Sequence, residues 1–500
     1  MSTGLILAID QGTTNTKVVA VDASGAIVSS GSVPTPLAFP RPGWVESDAA
    51  GIWASVQEAA RACLAGIEGA GIASIALTNQ REAVVAWERA TGRPLGPCIS
   101  WQCRRTSDAC DDLRARDLEP VIRARSGLDI DPLFSATKAG WLLDAMPDGR
   151  ARARAGEICI GTVDSWVLWN LTGGQTFATD LTNASRTQLL DLDGLQWGDE
   201  LLEVFGIPAA ALADVRPSSG RFGVTRGLDW LTDGSPIDAV IGDSHGALFG
   251  HGAPAYGTVK ATYGTGTSVM VPVARRIDTA GLSSTIAWSR REPSGEVSVV
   301  YAVEGNIAVT GASIDWLASI IGQAGHPEHV LELAGSVEDT GGVYLVAALA
   351  GLGAPHWDPQ ARGLICGATR GTTAAHLARA AVEGVAYLIG DVLDALGPAL
   401  DHPISAVLAD GGAIQSDVMA QVQADVLNRP VLRSLSGNLA AVGAAYLAGL
   451  ANGTWQDVEE IRALTIGVDR FVPRVDAATR QAGHAGWEVA VRRAAGSFGA

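Results

Sequence analysis

The sequence predicts an α/β protein with mixed sheets, organised as two similar domains that face each other. Three observations lead there. Two β-rich hairpins of one design stand far apart in the chain. Strands alternate with helical segments in both halves. And 500 residues exceed an ordinary domain of about 100–250 residues. The first hairpin is residues 5–21, LILAIDQGTTNTKVVAV, where two apolar, β-branched runs flank a polar turn around Gly12. The second is residues 258–273, TVKATYGTGTSVMVPV, with a Gly-Thr-Gly-Thr turn. Each hairpin is expected to offer its turn to a shared cleft.

The remaining elements follow the same logic. Residues 72–81, IASIALTNQR, read as a strand running into a polar turn, and residues 404–413, ISAVLADGGA, as a strand ending in Gly-Gly. After the latter, residues 415–427 place Val418, Met419, Val422 and Val426 at helical spacing. Ser47-Asp48 is a helix start, and Ile52, Trp53, Val56, Ala59, Ala60, Cys63 and Leu64 share one face of the helix it opens. Glycines recur in DSHGALFGHGAPAYG, residues 243–257, and the domains are expected at 1–248 and 249–500.

Composition excludes several classes. The net charge is −17 and lysine occurs only at Lys17, Lys138 and Lys260, so nucleic acid is not the expected partner. No stretch of 18 or more uncharged apolar residues predicts a membrane span. The first residues, MSTGLILAID, lack the basic and apolar regions of a secretory leader. The six cysteines show no Cys-x-x-Cys or zinc-site spacing and read as reduced thiols of a cytoplasmic protein. No Walker A motif and no dinucleotide fingerprint are present.

The turns can nevertheless hold phosphate. Gly12 lets the backbone approach an anion, and the N–H groups and hydroxyls of Thr13 and Thr14 can donate to it. Asp10 can hold water on a magnesium ion, and Lys17 adds positive charge. Taken alone, the segment is equally an ordinary hairpin tip; a second such turn at residues 264–267 makes that harder to accept. Asp243 follows an apolar strand, where α/β ligands bind. It can accept the proton of an attacking hydroxyl, or simply cap a helix. Arg81 and Glu82 can chelate neighbouring hydroxyls, one donating and one accepting. The face of Trp101 can pack on carbons, unless it is a core residue.

These motifs together resemble the FGGY carbohydrate kinase family, and within it the glycerol kinases. The resemblance runs nearly the whole chain through DQGTTNTK, PGWVESDAAGIWAS, TNQRE, WQCRR, DPLFSATKAGWLLD, GTVDSWVLWNLTGG, TNASRT, GDSHGALFG, TYGTGT, GASIDWL, GLGAPHWDPQARG and ADGGA. It implies two actin-like (ribonuclease H-like) ATPase domains around a cleft, with ATP and Mg2+. Asp10 matches the magnesium-associated aspartate. Thr13, Thr14, Asn15 and Lys17 match contacts to nucleotide phosphates, and Thr265 and Gly311 match contacts in the second domain. Gly412 matches an adenine-site glycine. Asp315 and Ser416 stand where Gln and Asn are usual. Arg81, Glu82, Trp101 and Asp243 match the polyol set, with Asp243 as general base.

Three departures cluster around the substrate: Leu133 for Tyr, Ser244 for Gln beside His245, and Ser268 for Phe. The basic loop that binds fructose 1,6-bisphosphate in some family members is not recognisable in RFGVTRGLDWLTDG, residues 221–234. The resulting expectation is phosphorylation of glycerol to glycerol 3-phosphate. One alternative is a C4 or C5 polyol or ketose, such as erythritol, threitol, erythrulose or a pentulose. Another is an actin-like ATPase acting through conformational change. The resemblance also implies a homodimer or homotetramer.

Overall fold

The computed structural model describes residues 4–67, 69–292, 294–464 and 467–495. Contacts divide the chain into two compact units. One contains Met1–Pro254, Ser284–Tyr301 and Asn438–Thr465; the other contains Ala255–Ser283, Ala302–Gly437 and Ile466–Ala500. A single cut at 248/249 therefore differs from the units, because two stretches of the later sequence return to the first.

The physical reason for the longer return is a close helix crossing. The helix Leu439–Asn452 packs on the helix Asp243–Gly250. A Cβ on Gly443 would fall on the carbonyl of Gly246, and one on Gly246 would lie 2.8 Å from the carbonyl oxygen of Ala440. Glycine removes the side-chain spacer that normally holds helices about 8–10 Å apart. The recurring glycines of residues 243–257 thus serve packing as well as chain reversal.

In the first unit the sheet runs Ile27–Pro34, Asn15–Val21, Leu5–Gln11, Ile72–Asn79, Pro236–Gly242. Asn15–Val21 pairs antiparallel with both of its neighbours, and the last three strands are parallel. The helix Ala49–Ala65 covers the hairpin side. It starts where Asp48 accepts the N–H groups of Ala50 and Gly51 at 3.2 and 3.1 Å. Ile52, Val56, Ala59, Ala60 and Cys63 are fully buried, while Trp53 and Leu64 pack at the edge of the same core. A smaller sheet, Glu46–Ser47, Cys98–Ile99, Val84–Glu88 and Ile158–Thr162, carries the segment that leads into Trp101.

The second unit repeats the arrangement. Its strands run Val297–Ile307 (of which Ala302–Ile307 belongs to this unit), Thr267–Val273, Thr258–Tyr263, Ala406–Asp410, Val431–Ser434. Thr258–Tyr263 pairs antiparallel with Thr267–Val273 and parallel with Ala406–Asp410, which is parallel to Val431–Ser434. Two hairpins of one design therefore open two sets of strands with one order. The helix expected at residues 415–427 spans Asp417–Leu427, after a short 3-10 turn at Ala413–Gln415.

In the first unit the parallel strands end in register, with Gln11 opposite Asn79 and Asn79 opposite Gly242. The residues that follow, Gly12, Gln80 and Asp243, therefore gather at one sheet edge, the usual ligand edge of parallel sheets. In the second unit Thr262 pairs with Asp410, which brings the 264–267 turn and Gly411–Gly412 to the corresponding edge. Among the described residues no helix is long and apolar enough to cross a membrane. All six cysteines are free thiols, and burial pushes those of Cys98 and Cys110 up to about 12.

Candidate active site

At the first unit's edge, the turn after Leu5–Gln11 closes through Gly12 N–H donating to the carbonyl of Asn15 at 3.0 Å. The Gln80 N–H donates to the Gln11 carbonyl at 2.8 Å, and the Gln80 amide donates to Gln11 Oε1 at 3.0 Å. These bonds fasten the turn to the end of the neighbouring strand. Among the described residues, the N–H groups of Thr13 and Thr14 meet no protein acceptor. Thr14 and Asn15 are exposed and Thr13 partly so. Successive N–H groups beside threonine hydroxyls suit an anion. The Trp101 indole N–H donates to Thr13 Oγ1 at 3.0 Å, joining the turn to the second sheet.

Two carboxylates share this edge. Asp10 faces Lys17 across the hairpin, and Asp243 begins the helix that follows Gly242. Arg81 Nε donates to Asp243 Oδ1 at 3.1 Å, and Ser244 N–H donates to the same oxygen at 2.6 Å. Asp243 thus both receives a helix-terminal N–H and keeps 38% of its side chain accessible. Desolvation and then the charge of Asp243 push Asp10 up to about 7, with Lys17 opposing them.

A raised carboxylate has a stability consequence with a definite sign. Native Asp10 holds its proton more tightly than the unfolded chain, whose value is about 3.8. Its contribution is complete below about pH 4 and is lost as pH rises through about 7. Asp10→Asn is therefore expected to gain in Tm relative to the parent between pH 5 and pH 8. A constant gap across that range would show an unperturbed Asp10.

Glu82 is 4% exposed and adopts φ 61°, a strained conformation for a residue with a side chain. Its carboxylate accepts Arg186 Nε at 2.7 Å from a fully buried guanidinium. Lys138, also fully buried, donates to the carbonyls of Leu133 at 2.6 Å and Ser100 at 3.5 Å. Burial lowers the Lys138 ammonium to about 8 against the pull of Glu82. Leu133 N–H donates to Asp131 Oδ1 at 2.7 Å. Ser244 is buried, and the adjacent His245 ring lies 3.3 Å from Thr285 Oγ1. The structure thus brings together Asp10, Thr13, Thr14, Asn15, Lys17, Arg81, Glu82, Trp101, Leu133, Asp243 and Ser244 within the first unit.

Sequence reasoning passed over Arg186, Lys138 and Thr182. The available signal was the polar run Thr182, Asn183, Ser185, Arg186 and Thr187 in TNASRT, and the structure buries every one of them.

In the second unit, Gly264 N–H donates to the carbonyl of Gly266 at 2.9 Å, closing a turn like that at Gly12. Gly311 N–H donates to the Gly264 carbonyl at 3.0 Å, and Thr310 and Ala312 N–H donate to the Thr265 carbonyl at 2.8 and 3.2 Å. The start of the helix Gly311–Ile320 is thus spent on shaping the turn. Asp315, one helical turn on, is exposed. Gly411 has φ 102° and a Cβ there would meet the backbone of Tyr263, so the fold itself demands glycine. At Gly412 a Cβ would meet nothing. The bare backbone at 412 is available to a flat ligand rather than required by packing. Ser416 Oγ accepts Met419 N–H at 3.4 Å as the helix cap, a structural role beside the expected ligand contact. Ser268 Oγ donates to Glu304 Oε1 at 2.8 Å, and Glu304 is 1% exposed.

Comparison with known proteins agrees with this arrangement. The family model for the N-terminal domain of the FGGY family of carbohydrate kinases matches residues 5–250, and that for the C-terminal domain matches 259–452. A glycerol kinase of Thermus brockianus is 47% identical over 98% of both chains. An apulose kinase of Pectobacterium atrosepticum is 44% identical over 99% of both. The crystal structure of Plasmodium falciparum glycerol kinase with ADP superposes with TM-score 0.92 at 29% identity, covering 98% of each chain. Two units of repeated actin-like strand order, a phosphate-type turn in each and family models over both halves lead to one conclusion: the chain belongs to the FGGY family of carbohydrate kinases and is an ATP-dependent kinase.

Proposed function

We propose that the chain transfers the γ-phosphoryl group of ATP to a terminal hydroxyl of glycerol, giving glycerol 3-phosphate and ADP. The observation that carries this reading is the Arg81–Asp243 pair at 3.1 Å with Glu82 and Trp101 in the same unit. Asp243 accepts the hydroxyl proton as the oxygen attacks phosphorus, and the bond from phosphorus to the departing ADP oxygen breaks in line. Arg81 pairs with that carboxylate and aims it. Glu82 accepts from a second hydroxyl, and Trp101 covers the carbon chain. Thr13, Thr14, Asn15, Lys17 and Thr265 contact phosphates, while Gly412, Asp315 and Ser416 lie at the nucleoside.

A magnesium ion fits this donor set. Asp10 is held away from its ordinary value by burial and by a like charge, which a divalent cation would relieve. Asp10 would hold the ion, which would neutralise phosphate charge. The reaction consumes ATP, and we assign the enzyme to the cytoplasm.

A second reading, a C4 or C5 polyol or ketose as acceptor, has specific support. Leu133, Ser244 and Ser268 give aliphatic or hydroxyl groups where the glycerol kinases carry Tyr, Gln and Phe. Two aromatic walls of about 150–250 Å² each are thereby missing. One relative is itself named apulose kinase. A coupled ADP-release screen over glycerol, dihydroxyacetone, tetritols, pentitols and ketoses separates the readings. Glycerol is expected to give the highest kcat/KM. A larger acceptor more than about tenfold better would move the assignment to the second reading, since tenfold is about 1.4 kcal/mol of differential transition-state binding. ADP release indifferent to every acceptor would overturn both.

A further inference from the structure

We infer that Thr182 is a positioning residue for Asp243, acting through the peptide of Gly242; this rests on Asp243 being the general base proposed above. The short helix Leu181–Ala184 lies buried beneath the sheet edge, and Thr182 and Asn183 are fully inaccessible. Thr182 Oγ1 accepts the Gly242 N–H at 2.9 Å. Its own proton goes to Asp180 Oδ1 at 2.9 Å. Asp180 is fully buried and also accepts Thr182 N–H at 2.9 Å, Asn183 N–H at 2.9 Å, Asn183 Nδ2 at 2.9 Å and Ser218 Oγ at 2.7 Å. The carboxylate is thus anchored from several sides, and the hydroxyl between it and Gly242 has one proton direction and one lone pair committed.

The consequence falls on Asp243. Gly242 ends a strand and Asp243 starts a helix, so the path of the chain through Gly242 sets the direction of the carboxylate, and Thr182 holds the Ile241–Gly242 peptide that enters it. The Gly242 N–H points into the protein, toward Thr182 Oγ1. A shift of about 1 Å at a reacting group costs on the order of 10²-fold in rate. The neighbouring Asn183 holds the adjacent strand end in the same way, donating to Asn79 Oδ1 at 3.1 Å and accepting Asn79 Nδ2 at 3.0 Å.

The test compares Thr182→Val, which keeps the shape and loses the hydroxyl, with Thr182→Ser, which keeps it. Thr182→Val is expected to lower kcat about 10- to 100-fold, with KM for ATP unchanged and the acidic limb of the kcat pH profile displaced. Thr182→Ser is expected to stay within about threefold of the parent. In an Asp243→Asn background Thr182→Val should have no further effect on kcat, because the two act on one group. Additive losses, or a fall in Tm with kcat preserved, would overturn the positioning role. Should Thr182→Val not fold, Ser218→Ala removes one of Asp180's donors and carries the same cycle, with an expected loss of about two- to fivefold. If Asp243→Asn itself keeps near-parent turnover, the general-base reading fails, which is a separate result.

Discussion

Asp243→Asn is expected to lower kcat about 10²- to 10⁴-fold while leaving ATP affinity within a few fold of the parent. The substitution preserves shape. The Asn oxygen can still accept Arg81 Nε and Ser244 N–H, the two donors seen on Asp243 Oδ1. What it removes is the ability to take a proton. Loss of folding is not anticipated, because Asp243 is 38% exposed and the Asn oxygen still accepts from the buried Arg81. A second readout follows from the electrostatics. Asp243 helps to raise Asp10, so the variant should let the Asp10 carboxyl fall back toward the ordinary carboxylate range. Coupled assay, calorimetric ATP binding and a thermal melt together check the expectation. A loss of less than about tenfold would remove Asp243 from proton transfer.

Gly443→Ala is expected to destabilise the protein at or beyond the upper end of the ~1–3 kcal/mol overpacking range. Its Cβ would fall on the Gly246 carbonyl and lie 2.7 Å from the Gly250 nitrogen. Backbone atoms cannot rotate aside as a side chain does, so one helix must move as a body. The helix it would push begins at Asp243, and the variant should therefore lose activity together with several degrees of Tm. Gly397→Ala, where a Cβ meets nothing, is the control and is expected to be silent. An unchanged Tm for Gly443→Ala would mean that the crossing is looser than the structure has it.

Much of this was legible in the sequence because its signals are local. The Asp48 cap, the apolar face from Ile52 to Cys63 and the two hairpins each depend on residues within one or two turns of chain. Residues 72–81 and 404–413 read as a strand in each half, but the repeated strand order is seen only in the structure. The supporting layer of the candidate site was not legible. Arg186 meets Glu82 across 104 residues and Thr182 meets Gly242 across 60, and no periodicity encodes such pairings. Burial also hides chemistry. Lys138 reads as one of three lysines until its ammonium is found inside, holding the Leu133 and Ser100 carbonyls. Gly311 and Ser416 matched ligand contacts by position, yet the N–H of one and the hydroxyl of the other also hold the second unit's own backbone.

The helix Leu439–Asn452 carries a consequence for how the protein is made. Synthesis delivers the chain from its N-terminus at about 5–20 residues per second, and domains generally fold as they emerge. Here the first unit is missing a helix until almost the whole chain has been translated, because residues 255–437 come first and most belong to the other unit. The apolar faces of the strands and of the Asp243 helix that this helix covers stay open meanwhile. Loop closure over so long a span adds little thermodynamic cost, since that cost grows only with the logarithm of length, but it imposes an order of events. The part bearing the proposed base and polyol residues is first to leave the ribosome and cannot be first to finish.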